Sequence, residues 1–248
     1  MALNESIVKM MNHNNPQAKF KLYYWALPFR GCFVSYLFAY QAVPLLMETS
    51  YEEINKLRQL DPEDQEIPFI GPPILSDLEA NITISQMPAI VVYASQKLGL
   101  CPSDPVELSM RLKVIMDCND LLMEICRYNG SMMWKRENWL EFRNNRLPKW
   151  MKLFEESLNR KLVGSVQVDF ADIGIYALFG NMIRCLPELE MDLLINAPGI
   201  HAHCRRIGSK PSLANFVANE ELEYGNLYCG GQIEQSIREM LALDTAAA

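Results

Sequence analysis

The chain has no surplus of positive charge. Its 23 Lys and Arg stand against 30 Asp and Glu, a net charge of −7 over 248 residues. Nucleic acid and anionic membrane surfaces demand basic counter-charge, so neither is expected as the main partner. No apolar run approaches the roughly 20 residues that a bilayer helix needs. The seven Cys are scattered with no CxxC pair, which points to reduced thiols and against a disulfide framework. There is no Gly-rich phosphate loop, no internal repeat and no low-complexity segment. The opening "MALNESIVKMMNHNNPQAK" carries Glu5, Lys9 and four Asn. It lacks an apolar core of secretory type and reads as an N-terminal extension over residues 1–17 of a cytoplasmic protein.

What is present is an ordered alternation. "KFKLYYWAL" (19–27) reads as a buried strand, and Pro28 suits the first turn of a helix continued by "FRGCFVSYLFAYQA". "VPLLMET" gives a second strand. "SYEEINKLRQLD" gives a helix with Ser50 and Glu53 as a capping box. "PPILSD" and a partner near "EANIT" form a hairpin, after which Ser85 caps the helix "QMPAIVVYASQKLGL". Beyond residue 100 the pattern is helical throughout. Asp104, Pro105 and Glu107 open one helix, whose Leu108, Leu112, Ile115, Leu122 and Ile125 keep helical spacing. Asp169 and Asp172 open another. Lys210-Pro211 separates two more in "APGIHAHCRRIGSKPSLANFV".

Four segments in register resemble the cytosolic glutathione transferase family. "GPPILSD" is similar to its Pro-x-Leu segment, whose first residue is a cis-proline, here Pro73. "ISQMPAIVVYAS" resembles its Gln/Glu-Ser-x-Ala-Ile-x-x-Tyr helix start. "DFADIGIYALF" resembles its Thr/Ser-x-x-Asp cap, and "PGIHAHCRRIGSKPSLANF" its closing pattern. The resemblance spans about residues 19 to 218. It implies an α/β thioredoxin-like N-terminal domain (18–100) that binds glutathione, followed by an all-α helical C-terminal domain (101–248) for a small hydrophobic electrophile. It also implies a homodimer, with glutathione as co-substrate and no metal.

The chemistry it implies is activation of a thiol. A free thiol has a pKa of about 8.5, and lowering it by two units takes roughly 2.7 kcal/mol. One hydroxyl donor near a helix N-terminus is of that order. "LYYW" resembles the tyrosine-type strand end and nominates Tyr24, with Tyr23 and Cys32 as the other candidates. Leu27 stands where serine- and cysteine-type members carry their reactive residue before Pro-Phe. The resemblance puts Trp25, Arg30, Pro72, Pro73, Ser85, Gln86 and Met87 at the glutathione subsite. Pro72 has no N–H and Met87 no hydroxyl, so binding is expected to be weakened by roughly 2–4.5 kcal/mol. Tyr128, Met132 and Trp134 in "YNGSMMWKRENW" are the expected lining for the electrophile.

Other clusters carry less. His201 and His203 in "HAHC" point to nearly opposite helix faces and make a poor metal site. Asp117 and Asp120 read as a solvated pair, and "EESLNRK" and "EELEYG" as solvated charge runs. A second reading keeps the same fold as a non-catalytic binding or interaction module with a weakened glutathione site.

Overall fold

The computed structural model describes residues 17–164 and 166–246, so most of the expected N-terminal extension lies outside the described residues. Two compact units emerge. One runs up to Cys101 and takes in Ser209–Gly225; the other comprises Pro102–Gly208 and the chain from Asn226 onward.

The first unit opens with β1 (Phe20–Tyr23), α1 (Cys32–Tyr40), β2 (Leu46–Glu48), α2 (Tyr51–Gln59), β3 (Ile74–Asp77), β4 (Ile82–Ser85) and α3 (Met87–Leu98). The strands form one mixed sheet in the order β2-β1-β3-β4. β1 is parallel to β2 and antiparallel to β3, and β3 is antiparallel to β4. Alternation along β1 sends Phe20 and Leu22 into the core and leaves Lys21 and Tyr23 half-buried, as period-2 geometry requires.

β1 is shorter than its apolar run suggests. The chain turns at Trp25, whose carbonyl accepts from Leu27 N–H, and α1 starts only at Cys32, with Cys32 N–H on the Pro28 carbonyl. Pro28 therefore stands ahead of the helix. Ser50 does cap α2, its hydroxyl accepting from Glu53 N–H, but the Glu53 carboxylate turns to Lys56 instead of closing a box. Ser85 is no cap at all. β4 runs through it, opposite Ile74, so the N-cap of α3 falls to Gln86, whose side chain makes no capping bond.

The second unit holds α4 (Pro105–Ile125), α5 (Arg136–Glu141), α6 (Leu147–Asn159), α7 (Phe170–Ile175), α8 (Asn181–Cys185), α9 (Glu190–Asn196) and α10 (Pro198–Gly208). Asp104 caps α4 through Val106 and Glu107 N–H. The buried face of α4 includes Arg111, which the apolar spacing does not reveal; it donates to Asp169 at 2.7 Å. Asp169 and Asp172 form a reciprocal capping box on α7. Burial, and then the neighbouring Asp172, push the Asp169 carboxyl up, against the pull of Arg111. α11 (Pro211–Tyr224) belongs to the first unit, and α12 (Gly231–Ala246) to the second.

Two charge runs are not simply solvated. Glu155 accepts from Gly199 and Ile200 N–H at the start of α10. Glu220 is buried in the first unit and accepts from Tyr36 Oη at 2.6 Å. Among the described residues no helix is long and apolar enough to cross a membrane.

Candidate functional site

The strand ends of the first unit bring three expected residues into one row. Tyr23 pairs with Ile74 and Ile74 with Ser85. Tyr24, Pro73 and Gln86 each stand one residue past these last pairs, at the same edge of the sheet. The Pro72–Pro73 peptide is cis.

Tyr24 is held from several sides. Its N–H donates to the Glu48 carbonyl at 3.0 Å, and its Oη accepts from Arg30 N–H at 2.9 Å. A Cβ on Gly31 would stand 2.4 Å from Tyr24 Cδ1, so glycine is required for the ring to lie where it does. Tyr23 points to the other face of the sheet. There it lines a cavity of about 70 Å³ with Leu57, Ile74 and Thr83, and Lys21 Nζ lies 4.7 Å from its ring centroid. Cys32 is buried, its thiol donating to the Phe29 carbonyl at 2.8 Å. Of the three candidates, Tyr24 alone stands in the row with Pro73 and Gln86.

Trp25 stacks on Tyr51 at 5.7 Å, with the Arg58 guanidinium also over its ring. Arg30 lies over Phe29. Gln86 has φ 72° and ψ 115°, a backbone region that L-residues avoid and that concentrates at ligand sites. It aims the start of α3 at the row. The first turn there carries N–H groups on Met87 and Ala89 but none on Pro88. A helix N-terminus favours a carboxylate. The Met87 side chain is 2% exposed and packs inward, so the methionine itself offers a ligand its backbone only.

The expected electrophile lining is divided. Trp134 belongs to the core of the second unit. Its indole N–H donates to the Ile125 carbonyl at 2.9 Å, and its ring packs on Trp139 and Phe142. A buried indole needs such an acceptor, which fixes the ring inside. Tyr128 and Met132 are 59% and 46% exposed. Between them and α4 lies a feature the sequence did not reveal: Arg127, Tyr128, Asn129 and Gly130 all have positive φ. Each non-glycine residue there costs roughly 1–2 kcal/mol. Only Asn129-Gly130, a turn dipeptide, hinted at it.

The two histidines part company: His201 Nε2 lies 3.0 Å from Glu190, and His203 Nε2 lies 3.2 Å from the Asp172 carbonyl. Asp117 pairs with Lys113. Among the described residues no three His, Cys, Asp or Glu side chains are grouped to hold a metal.

A four-stranded sheet with a cis-proline at the head of β3, joined to a helical unit, has clear relatives. The glutathione S-transferase of Onchocerca volvulus, of the Pi class, matches with a TM-score of 0.69 at 16% identity, over 86% of this chain and 98% of that one. In sequence, the glutathione S-transferase of Plasmodium yoelii yoelii is 25% identical over 176 residues, 69% of this chain and 77% of the relative. The Plasmodium falciparum glutathione S-transferase is 24% identical over 169 residues, 64% of this chain and 75% of the relative. Residues 110–240, just over half of the chain, match the family model for the glutathione S-transferase C-terminal domain. The chain belongs to the glutathione S-transferase family.

Proposed function

We propose that this protein is a glutathione transferase in which Tyr24 activates the thiol for attack on a small hydrophobic electrophile. The observation that carries the reading is the row of Tyr24, cis-Pro73 and Gln86, with Tyr24 Oη 2.9 Å from Arg30 N–H. Donation from that amide polarises the phenol and makes its O–H a stronger donor. The Tyr24 O–H then donates to the sulfur and stabilises the thiolate. The thiolate forms a bond to the electrophilic carbon as the leaving group departs with its electron pair. The start of α3, aimed by Gln86, receives the γ-glutamyl carboxylate. Trp25, Arg30, Pro72, Pro73, Ser85 and Met87 border the same ligand. Tyr128 and Met132 serve the electrophile side of the helical domain, while Trp134 stays in its core.

In this reading residues 18–100 form the glutathione-binding domain and 101–248 the substrate-binding domain. The protein works as a cytoplasmic homodimer in detoxification. A non-catalytic binding role is favoured by one observation, the pairing of Pro72 with an inward-packed Met87, which removes two contacts from the ligand. The test is a thermal melt with millimolar glutathione beside a conjugation assay on a generic aromatic electrophile. A ligand that binds only the folded state raises the midpoint. A rise with turnover supports the enzyme, a rise alone supports the binding module, and no rise sinks both glutathione-dependent readings and leaves the interaction module.

A further inference from the structure

The left-handed turn that follows α4 holds a cation with no oxygen partner among the described residues. Its geometry is braced: Gly130 N–H donates to the Cys126 carbonyl at 2.7 Å, Asn129 N–H to the Cys126 sulfur at 3.3 Å, and Ser131 Oγ to the Arg127 carbonyl at 3.0 Å. A Cβ at Gly130 would meet Ile233 of α12 at 3.5 Å. This backbone lays the Arg127 guanidinium over the Trp134 ring, 4.7 Å from its centroid.

Among the described residues that guanidinium meets no carboxylate and no carbonyl. Nη2 reaches only the Met132 sulfur at 3.8 Å, a weak acceptor, and Nε is buried with no acceptor at all. Its neighbours are served differently. Arg146 takes Glu124 in a bidentate pair, while Arg136 and Arg143 share Asp244. Glu124, the carboxylate nearest to Arg127 in sequence on α4, is therefore already engaged. A buried donor left unpaired in a native fold calls for an explanation. The buried Nε is out of a ligand's reach, but the Nη edge is open beside Met132, and its fork of N–H groups matches a carboxylate. Met132, whose sulfur Nη2 meets, and Tyr128, the residue after Arg127, are both exposed, and the methionine is adaptable.

We propose that Arg127 is a specificity-determining residue that binds the carboxylate of an aromatic acid, with Tyr128 and Met132 against the acid's ring. This rests on the reading of Tyr128 and Met132 as the electrophile side of the helical domain, and it narrows the substrate class to aromatic carboxylates. Arg127 is not part of the thiol machinery.

The experiment is titration calorimetry of the full chain, without glutathione, using 2-naphthoate and its neutral analogue 2-naphthamide. The acid is expected to bind roughly tenfold or more tightly than the amide, with the preference shrinking as salt rises. In Arg127→Gln the acid should bind like the amide, while amide affinity is unchanged. Equal binding of acid and amide to the parent protein overturns the proposal, as does a preference that survives in Arg127→Gln. Should the glutamine variant fail to fold, Arg127→Lys decides: a reduced preference supports the fork, an undiminished one overturns it. Because glutathione is absent, loss of conjugation with the acid preference intact would count against the thiol reading alone.

Discussion

The Tyr24 ring lies directly on Gly31, so close that a Cβ there would stand 2.4 Å from Cδ1. Gly31 itself has φ −63° and ψ −33°, which any residue adopts. The backbone gives no reason for glycine; the ring does. Gly31→Ala at such a position would ordinarily stabilise by about 0.4–1 kcal/mol. Here it is expected to destabilise by about 1–3 kcal/mol, as overpacking does, and to reduce conjugation by shifting the hydroxyl. Thermal melts and turnover on the same preparation check both halves.

Tyr24→Phe keeps the ring over Gly31 and removes only the hydroxyl. Turnover at neutral pH is expected to fall roughly 10- to 1000-fold, with glutathione affinity within a few-fold. The thiolate absorbance of bound glutathione should move to higher pH. Tyr23→Phe, on the opposite sheet face, should leave both readouts unchanged. Full activity in Tyr24→Phe would transfer the role to the backbone N–H groups around Arg30.

Met87→Ser returns a hydroxyl to the start of α3 at the expense of a buried side chain. Glutathione affinity is expected to rise by about 1.5–3 kcal/mol through a bond to a carboxylate, while stability falls by about 2–5 kcal/mol. Calorimetry and melts separate the two. A stability loss with no gain in affinity would mean that residue 87 does not face the ligand.

Asp77 ties the β3–β4 turn to α3. It accepts from Glu79 and Ala80 N–H, from Tyr93 Oη at 2.7 Å and from Lys97 at 3.0 Å. Burial alone would raise its carboxyl. The Ala80 N–H, Tyr93 and Lys97 outweigh that and lower it to about 2, against about 3.9 unfolded. The folded value is depressed, so its stabilisation is complete above pH ~4 and fades as pH falls through ~2. Urea melts of wild type and Asp77→Asn between those limits should converge at the acid end. A constant gap would refute the assignment.

The chain is expected to be a homodimer, since closed two-fold pairs are the commonest soluble assembly. Light scattering at micromolar concentration should give about twice the 28.4 kDa chain mass; a monomer mass would remove the dimer from the proposal.

Local signals revealed most of the fold. Asp104, Asp169 with Asp172, and Gly99 in the left-handed region at the end of α3 mark helix ends through chemistry within a few residues, and so they were visible in the sequence. The strand lengths were not, because β1 stops where Tyr24 must turn onto Gly31, a contact between elements. Trp134 reads as lining for the electrophile because periodicity does not show that its indole N–H finds the Ile125 carbonyl. Arg111 was hidden for the same reason, its partner Asp169 lying 58 residues away. The edge that gathers Tyr24, Pro73 and Gln86 could be expected from motif position, whereas the left-handed turn at Arg127 lies beside Met132, Trp134 and Ile233, which motif position does not show.

α11 sits in the first unit although it follows nearly all of the second in sequence. Tyr36 of α1 donates to Glu220, 184 residues downstream, Phe216 packs edge-on against the same ring at 6.0 Å, and Ser212 bonds the Tyr40 carbonyl. On the ribosome, the sheet and its first three helices emerge long before the segment that seals them. Until then the Glu220 carboxylate that accepts from Tyr36 has not been made, so this side of the unit is the last to be completed. Closing a loop that long adds little extra entropy beyond a shorter one, so the delay is one of synthesis rather than of equilibrium stability.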